Sequence, residues 1–232
     1  MKENCIVTLG VGKNYPRGVE RLRKCVAELA INCDFVGHTS FPPNIPTHKK
    51  IPYSFKFFLI KEMLKKGYRR VIWIDVSFVP LNNLEMLWTH LDQYGYIVYE
   101  GTHSLGPYTS DECMKVFDLN RDQLFKIPSC SGGIFGVHAD STLANQMLDE
   151  LLWLASNTKV YQDLPSVDPR FAGHRHDQST LTLVCRKHHA MQNWRKYDEF
   201  YTLSKQTLEK FIPGNPKYLG KNFVLDRVYV KR

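Results

Sequence analysis

A carboxylate stands directly after the most apolar short run in the chain. The segment Val71-Ile-Trp-Ile-Asp75-Val-Ser77 carries four apolar residues, then an acid and, two positions on, a hydroxyl. Val-Ile-Trp-Ile reads as a strand buried on both faces, as inner strands of parallel sheets are. Ligands of such sheets bind outside the carboxyl ends of the strands. Side chains two apart in an extended segment point the same way. Asp75 and Ser77 can therefore share one hard cation, which prefers oxygen ligands and keeps part of its water. An aspartate that only caps a turn leaves the same signature, and the segment alone does not separate the two readings.

Three other segments carry chemistry-bearing residues. Cys130-Ser131-Gly132-Gly133-Ile-Phe-Gly136-Val is a strand-like run rich in glycine, which permits close approach of a ligand, or serves a bulge or tight packing. In His174-Arg-His176-Asp177-Gln178-Ser179, Asp177 heads a helical stretch, either as a reactive carboxylate or as a cap. Gly10-Val-Gly12-Lys13 is only a fragment of a dinucleotide fingerprint and does not predict a nicotinamide cofactor. His174 and His176 alternate, but no cysteine or carboxylate set completes a zinc site with them. Trp73, Trp88, Trp153 and Trp194 read as packing residues.

These residues need a framework of alternating strands and helices. Cys5 to Leu9 and Cys33 to His38 read as strands. Between them, Arg17 to Ala30 places Val19, Leu22, Val26 and Leu29 at helical spacing. Ser54 opens a helix that Gly67 ends, and Arg70 to Ile74 follows as a strand. Strand, helix, strand, helix, strand in this order predicts a mostly parallel sheet with covering helices. Further on, Asn83 caps a short helix through His90, Tyr96 to Tyr99 is a strand, and a helix lies near Asp111 to Phe117. Cys130 to His138 is a strand, and Ser141 to Ala155 and Asp177 to Arg186 are helices. No internal repeat or linker divides the 232 residues, so one α/β domain is expected.

The run from Tyr53-Ser-Phe-Lys56 to Gly67-Tyr-Arg-Arg-Val-Ile-Trp-Ile-Asp75-Val-Ser77-Phe-Val-Pro80 resembles nucleotide-sugar-dependent glycosyltransferases of the GT-A fold. The likeness extends to short glycogenin-like and virus-encoded glycan-building enzymes. Their hallmark is Asp-x-Asp after a central strand, where this chain has Asp-x-Ser. The resemblance implies Mn²⁺ or Mg²⁺ at Asp75, with Ser77 a weak or water-mediated ligand. It places the donor against Thr8, Gly10 and Tyr15 of the first-strand loop, Lys56 and Asp75. Ser131, Gly132, Gly133 and Gln178 would line the sugar pocket, and Lys217 of the Phe211-Ile-Pro-Gly-Asn-Pro-Lys217 tail would face the diphosphate. Asp177 is the implied catalytic residue, with Glu100 and Asp111 next in order. The nucleotide half is roughly 1–100 and the sugar and acceptor half roughly 101–232. The implied reaction moves a sugar from a nucleoside diphosphate donor, UDP favoured, to a hydroxyl on a glycan or protein-linked glycan, with retention slightly favoured.

Composition limits the rivals. Lys plus Arg number 31 against 23 acids, a net charge of +8, which suits an anionic partner but is dispersed along the chain. A basic nucleic-acid-binding module would need a finger, an aromatic RNA platform or a contiguous basic helix, and none is visible. A nucleotidyltransferase would need a fuller glycine- and lysine-rich loop after the first strand. No apolar run approaches the ~20 residues of a membrane span. The N-terminus reads as a strand rather than a signal peptide, and the six cysteines show no CxxC pair, which favours reduced thiols and a cytoplasmic location.

Overall fold

The computed structural model describes residues 2–203 and 218–226. Five strands form the main sheet: β1 (Lys2–Leu9), β2 (Asp34–His38), β3 (Tyr68–Ile74), β5 (Tyr96–Ser104) and β6 (Pro128–His138), in the order β2-β1-β3-β6-β5. β2, β1 and β3 pair in parallel, whereas β6 runs antiparallel to both β3 and β5. β5 therefore shares the direction of the first three, and only β6 runs against the rest.

The sheet is buried on both faces, and alternation decides which residue goes where. Val7, Val71, Trp73 and Phe135 face α2 (Phe55–Lys65), α6 (Thr142–Asn157) and α7 (His176–Lys187). Ile6, Ile72, Ile74 and Ile97 face α1 (Tyr15–Glu28) and α3 (Glu85–Tyr94). α1 begins with Pro16 in its first turn, where a missing N–H costs nothing, and buries Val19, Leu22, Cys25 and Val26 along one stripe. Gly67 and Gly95 take left-handed φ values of 87° and 81° where α2 and α3 end. Ser141 caps α6 by accepting from Ala144 N at 3.2 Å.

The structure goes beyond the sequence-based expectation in three places. β5 runs on to Ser104 through two register shifts. After the expected helix α4 (Asp111–Val116) comes an unexpected one, α5 (Arg121–Phe125), opened by an Asn120–Gln123 capping box. A second, three-stranded sheet has the order β4-β8-β7, from β4 (Phe78–Pro80), β7 (Phe200–Leu203) and β8 (Phe223–Asp226). Phe78, Phe200 and Phe223 pack edge to face there, with centroids 5.1 to 6.1 Å apart, and cover Tyr99 of β5.

The start of α3 differs from expectation. Leu84, not Asn83, holds the cap position, with φ +59°, while Asn83 accepts from Glu85 N at 3.2 Å. All six cysteines are free, and no helix among the described residues is long and apolar enough to cross a membrane.

Candidate active site

Lys56 is where the separate segments meet. It lies in the first turn of α2, whose other inward residues are apolar, and its side chain is only 2% exposed. A lysine is almost never buried to that degree without partners. Its Nζ donates to Asp177 Oδ2 and to the Gly132 carbonyl, each at 2.6 Å, and lies 3.6 Å from Asp75 Oδ1. Asp75 just after β3, Gly132 within β6 and Asp177 in the first turn of α7 thus converge on one ammonium. Burial alone would lower the Lys56 pKa, but Asp177 first and Asp75 second outweigh it and hold it above its ordinary value.

Asp75 follows the last residue of β3 and keeps 38% of its side-chain surface in solvent. Its backbone N–H extends the ladder to Gly133 O at 2.8 Å, and its carbonyl accepts from Phe78 N at 2.9 Å, which closes the turn through Ser77. Oδ1 accepts from the buried Trp73 indole N–H at 2.6 Å. Trp73 is a core residue, as expected, and also fixes the acid, a role its apolar neighbours concealed. Desolvation by the surrounding protein raises the Asp75 carboxyl; Lys56 pulls against it and Asp177 adds to it.

The turn is clamped from behind. Arg21 of α1 donates to Val76 O at 3.2 Å and to Asp226 Oδ2 at 3.0 Å, and Asp226 N donates to Ser77 O at 2.8 Å. Neither Arg21 nor Asp226 carries a sequence signal, because they stand 205 residues apart and meet only in three dimensions.

Asp177 is not a helix cap. Arg175 holds the cap position of α7 and makes no side-chain cap, and the buried Asp177 carboxylate turns to Lys56 instead. The bland reading of this residue is thereby corrected. A Cβ on Gly132 would lie 2.4 Å from Asp177 Oδ2, and one on Gly133 would lie 2.1 Å from the Phe78 ring. Both glycines are needed for protein packing, and the space beside them is filled by protein. Gln178 is engaged at both ends: Nε2 donates to Cys130 O at 3.1 Å and Oε1 accepts from Arg175 at 3.4 Å.

The remaining expected positions scatter around this centre. Thr8 is buried, and its hydroxyl donates to Ile74 O at 2.6 Å, holding the end of β3. Gly10 lets α1 start close by, since a Cβ there would meet Tyr15 O at 2.5 Å. Tyr15 is 41% exposed at the head of α1. Ser77 is half-buried and Ser131 buried. Lys217 lies outside the described residues. Glu100 pairs with Lys196 and Asp111 with Arg121, and neither pairs with Lys56. Trp73, Trp88 and Trp194 are buried as expected, but Trp153 is 57% exposed and does not pack as expected.

Sequence reasoning gave Tyr53 and His176 no role in the site. Both adopt left-handed backbone, φ 58° and 31°, and their rings lie 5.3 Å apart. Such values are uncommon for residues of this bulk. They precede Lys56 and Asp177 respectively, and Tyr53 is 40% exposed. Behind them His174 accepts from Ser110 N at Nδ1, so its Nε2 carries the proton and donates to Val160 O at 2.6 Å.

Among the described residues no group of three or more His, Cys, Asp or Glu side chains is placed to hold a metal ion. One solvent-reaching carboxylate and one nearby hydroxyl fit a cation shared with a substrate's phosphate oxygens and water, as Mg²⁺ commonly is. They do not fit a cage built by the protein alone.

No protein-family model and no curated protein matches the chain. Solved structures do. Mouse xyloside xylosyltransferase 1, in its apo form, superposes with a TM-score of 0.52 at 12% identity, covering 98% of this chain and 99% of that one. The bifunctional glycosyltransferase WbbM, also apo, gives 0.53 at 13% identity over 96% of this chain but 45% of its own. A glycosyltransferase involved in glycosylation of the PBCV-1 major capsid aligns over 95% of this chain and 92% of its own at 14% identity, with a TM-score of 0.43. The first two likenesses establish shared architecture. The chain has a GT-A-like α/β fold, the architecture expected from the Asp75 segment.

Proposed function

We propose that the protein transfers a sugar from a nucleoside diphosphate donor, UDP favoured, to a hydroxyl of a glycan or protein-linked glycan acceptor. The observation that carries this reading is the Lys56 ammonium held between Asp177 and Asp75 at the carboxyl end of β3, on a fold that glycosyltransferases share. Asp75, with Ser77 behind it, would hold Mn²⁺ or Mg²⁺ together with the diphosphate. When bound, that cation neutralises charge on the leaving diphosphate.

The chain's own residues do the rest. Lys56 fixes both acids and keeps their mutual repulsion in check. Asp177 presents negative charge beside the anomeric carbon, where an oxocarbenium-like state develops. As a nucleophile on that carbon it would give retention, the outcome the reading favours; as a base on the acceptor hydroxyl it would give inversion. Tyr15 flanks the nucleotide side, Thr8 anchors the end of β3 beneath it, and Gln178 steadies α7 against β6.

The test is a nucleotide-sugar panel with and without Mn²⁺, read as nucleoside diphosphate release and as the anomeric configuration of the product. Release from at least one donor, dependent on the cation and lost in Asp75→Ala, supports the reading. Release of pyrophosphate would instead mark a nucleotidyltransferase, and no release from any donor would overturn transfer chemistry.

A further inference from the structure

Trp153 is the one tryptophan among the described residues that the fold leaves out of its core. It lines a groove of about 630 Å³ formed by the end of α4, the outer face of α6 and the last turn of α7. That volume falls within the ordinary range of small-molecule sites. Asp177 lies in the first turn of α7 and Arg186 in the last, so nine residues, about 14 Å of helix, separate this groove from the Lys56 centre.

Its chemistry is specific. The indole is 57% exposed, and Val116 beside it is 38% exposed. The chain turns away from α4 at Asp118, with φ +51°, and sets that carboxylate on the groove wall. Among the described residues, neither the Asp118 carboxylate nor the Arg186 guanidinium has a hydrogen bond or ion pair. Glu150, by contrast, is fully engaged, with one oxygen 2.7 Å from Lys187 Nζ and the other 2.7 Å from His188 Nε2. The wall thus offers a flat apolar ring, one unspent acceptor pair and one unspent planar donor. Its formal charges, Asp118 and Glu150 against Arg186 and Lys187, cancel.

We infer that this groove is a second, non-catalytic carbohydrate site that seats one or two neutral sugar rings on the Trp153 indole. A pyranose has a face of C–H bonds and a rim of hydroxyls. The face stacks on the indole, while the rim reaches Asp118 and Arg186, whose charged groups make the stronger class of hydrogen bond. Charge balance disfavours a phosphorylated or polyanionic ligand. The exposed apolar side chains of the groove are Trp153 and Val116, with Phe117 and Leu119 partly exposed beside them, a patch far short of the ~800 Å² per partner that a stable protein interface buries. If the transfer reaction proposed above is correct, the site would hold a distal part of the acceptor glycan, but the binding itself does not depend on that reaction.

The experiment titrates xylotetraose, maltotetraose, cellotetraose and chitotetraose into the full chain by ligand-observed NMR, with no nucleotide or metal present. We expect at least one to bind saturably, Trp153→Ala to weaken it by about tenfold or more, and Arg186→Ala to weaken it as well. The melting temperature and any nucleotide-sugar turnover should stay unchanged in Trp153→Ala, which separates this result from the fate of the proposed reaction. No saturable binding by any of the four, or equal binding by Trp153→Ala, overturns the inference. So does a concentration-dependent dimer that Trp153→Ala abolishes in sedimentation, because the groove would then be a face between copies.

Discussion

At the scale of the residue, Lys56 turns two carboxylates into one unit, and each acid makes a different prediction. Asp177→Asn keeps an oxygen for Lys56 but removes the charge. Turnover per folded molecule should fall by about 10² or more, with donor affinity near wild type. Stability should fall by on the order of 2 kcal/mol, since a charge-assisted hydrogen bond is replaced by a weaker one. Steady-state kinetics well below the melting transition, beside urea denaturation, checks both; lost stability with normal turnover would leave Asp177 a structural anchor. Asp75 goes the other way. Its folded pKa is raised, so the native state holds that proton more tightly than the unfolded chain does. Ionising it therefore costs stability as pH rises past its ordinary value of 3.8. Solvent screening at a side chain 38% exposed keeps that cost modest. Asp75→Asn should melt no lower than wild type at pH 7 while losing donor and Mn²⁺ binding in calorimetry. A markedly lower melting temperature would show that the carboxylate supports the fold. Lys56 has the same sign: its pairing is fully present below about 10.5 and fades only in stronger base.

At the scale of the element, legibility followed locality. β1, α1, β2, α2, β3, α6 and α7 were readable because each carries its own apolar period and its own stop signal. Asp75 and Asp177 were readable for the same reason, as polar residues at the ends of such elements. β4, β7 and β8 were not, because short strands draw their stability from partners far along the chain. Lys56 was readable as a cation near the site, but its burial was not, since a lysine in an apolar helix face has the same sequence whether it points in or out. The glycines of β6 showed their presence and hid their purpose. Gly132→Ala should push α7 from β6, because its Cβ would lie 2.4 Å from the carboxylate that Lys56 needs. Loss of turnover with a largely intact circular dichroism spectrum is the expected result, and full activity would show that the helix can shift freely.

The start of α7 also depends on His174. Its pKa is lowered to about 4, chiefly by burial. The unfolded chain takes up this proton near 6.5 and the folded one only near 4, so the stability it contributes is full above about 6.5 and lost as pH falls toward 4. The whole effect is at most about 3 kcal/mol. Protonation would also end the bond that His174 accepts from Ser110 N. His174→Asn should flatten the dependence of melting temperature on pH between 6.5 and 4, measured by calorimetry. An unchanged slope would move the acid sensitivity to another group, first His90, which is likewise held near 4 by burial.

At the scale of the molecule, the first helix and the last described strand meet behind the Asp75 turn. Arg21 and Asp226 are 11% and 0% exposed, and through Val76 O and Ser77 O they hold the backbone that presents Asp75 and Ser77. Such a clamp links the two halves of the chain, so the site and the global fold should fail together. Removing one member of a buried ion pair costs up to about 3–5 kcal/mol, less where the remaining charge keeps other partners. Arg21→Met should therefore lower the urea midpoint markedly, and the donor and Mn²⁺ should bind more weakly even where the protein is still folded. Asp226→Asn should do the same, and the double variant should lose less than the sum of the two, since the pair interacts directly. The readout that a merely structural pair would not move is hydrogen exchange at the Phe78 and Asp226 amides under native conditions. Both donate into the Asp75–Ser77 turn, to Asp75 O and Ser77 O respectively, and should exchange faster in either variant before global unfolding contributes. If those amides stay as protected as in wild type while stability drops, the clamp holds the ends of the chain together but does not set the geometry of the site.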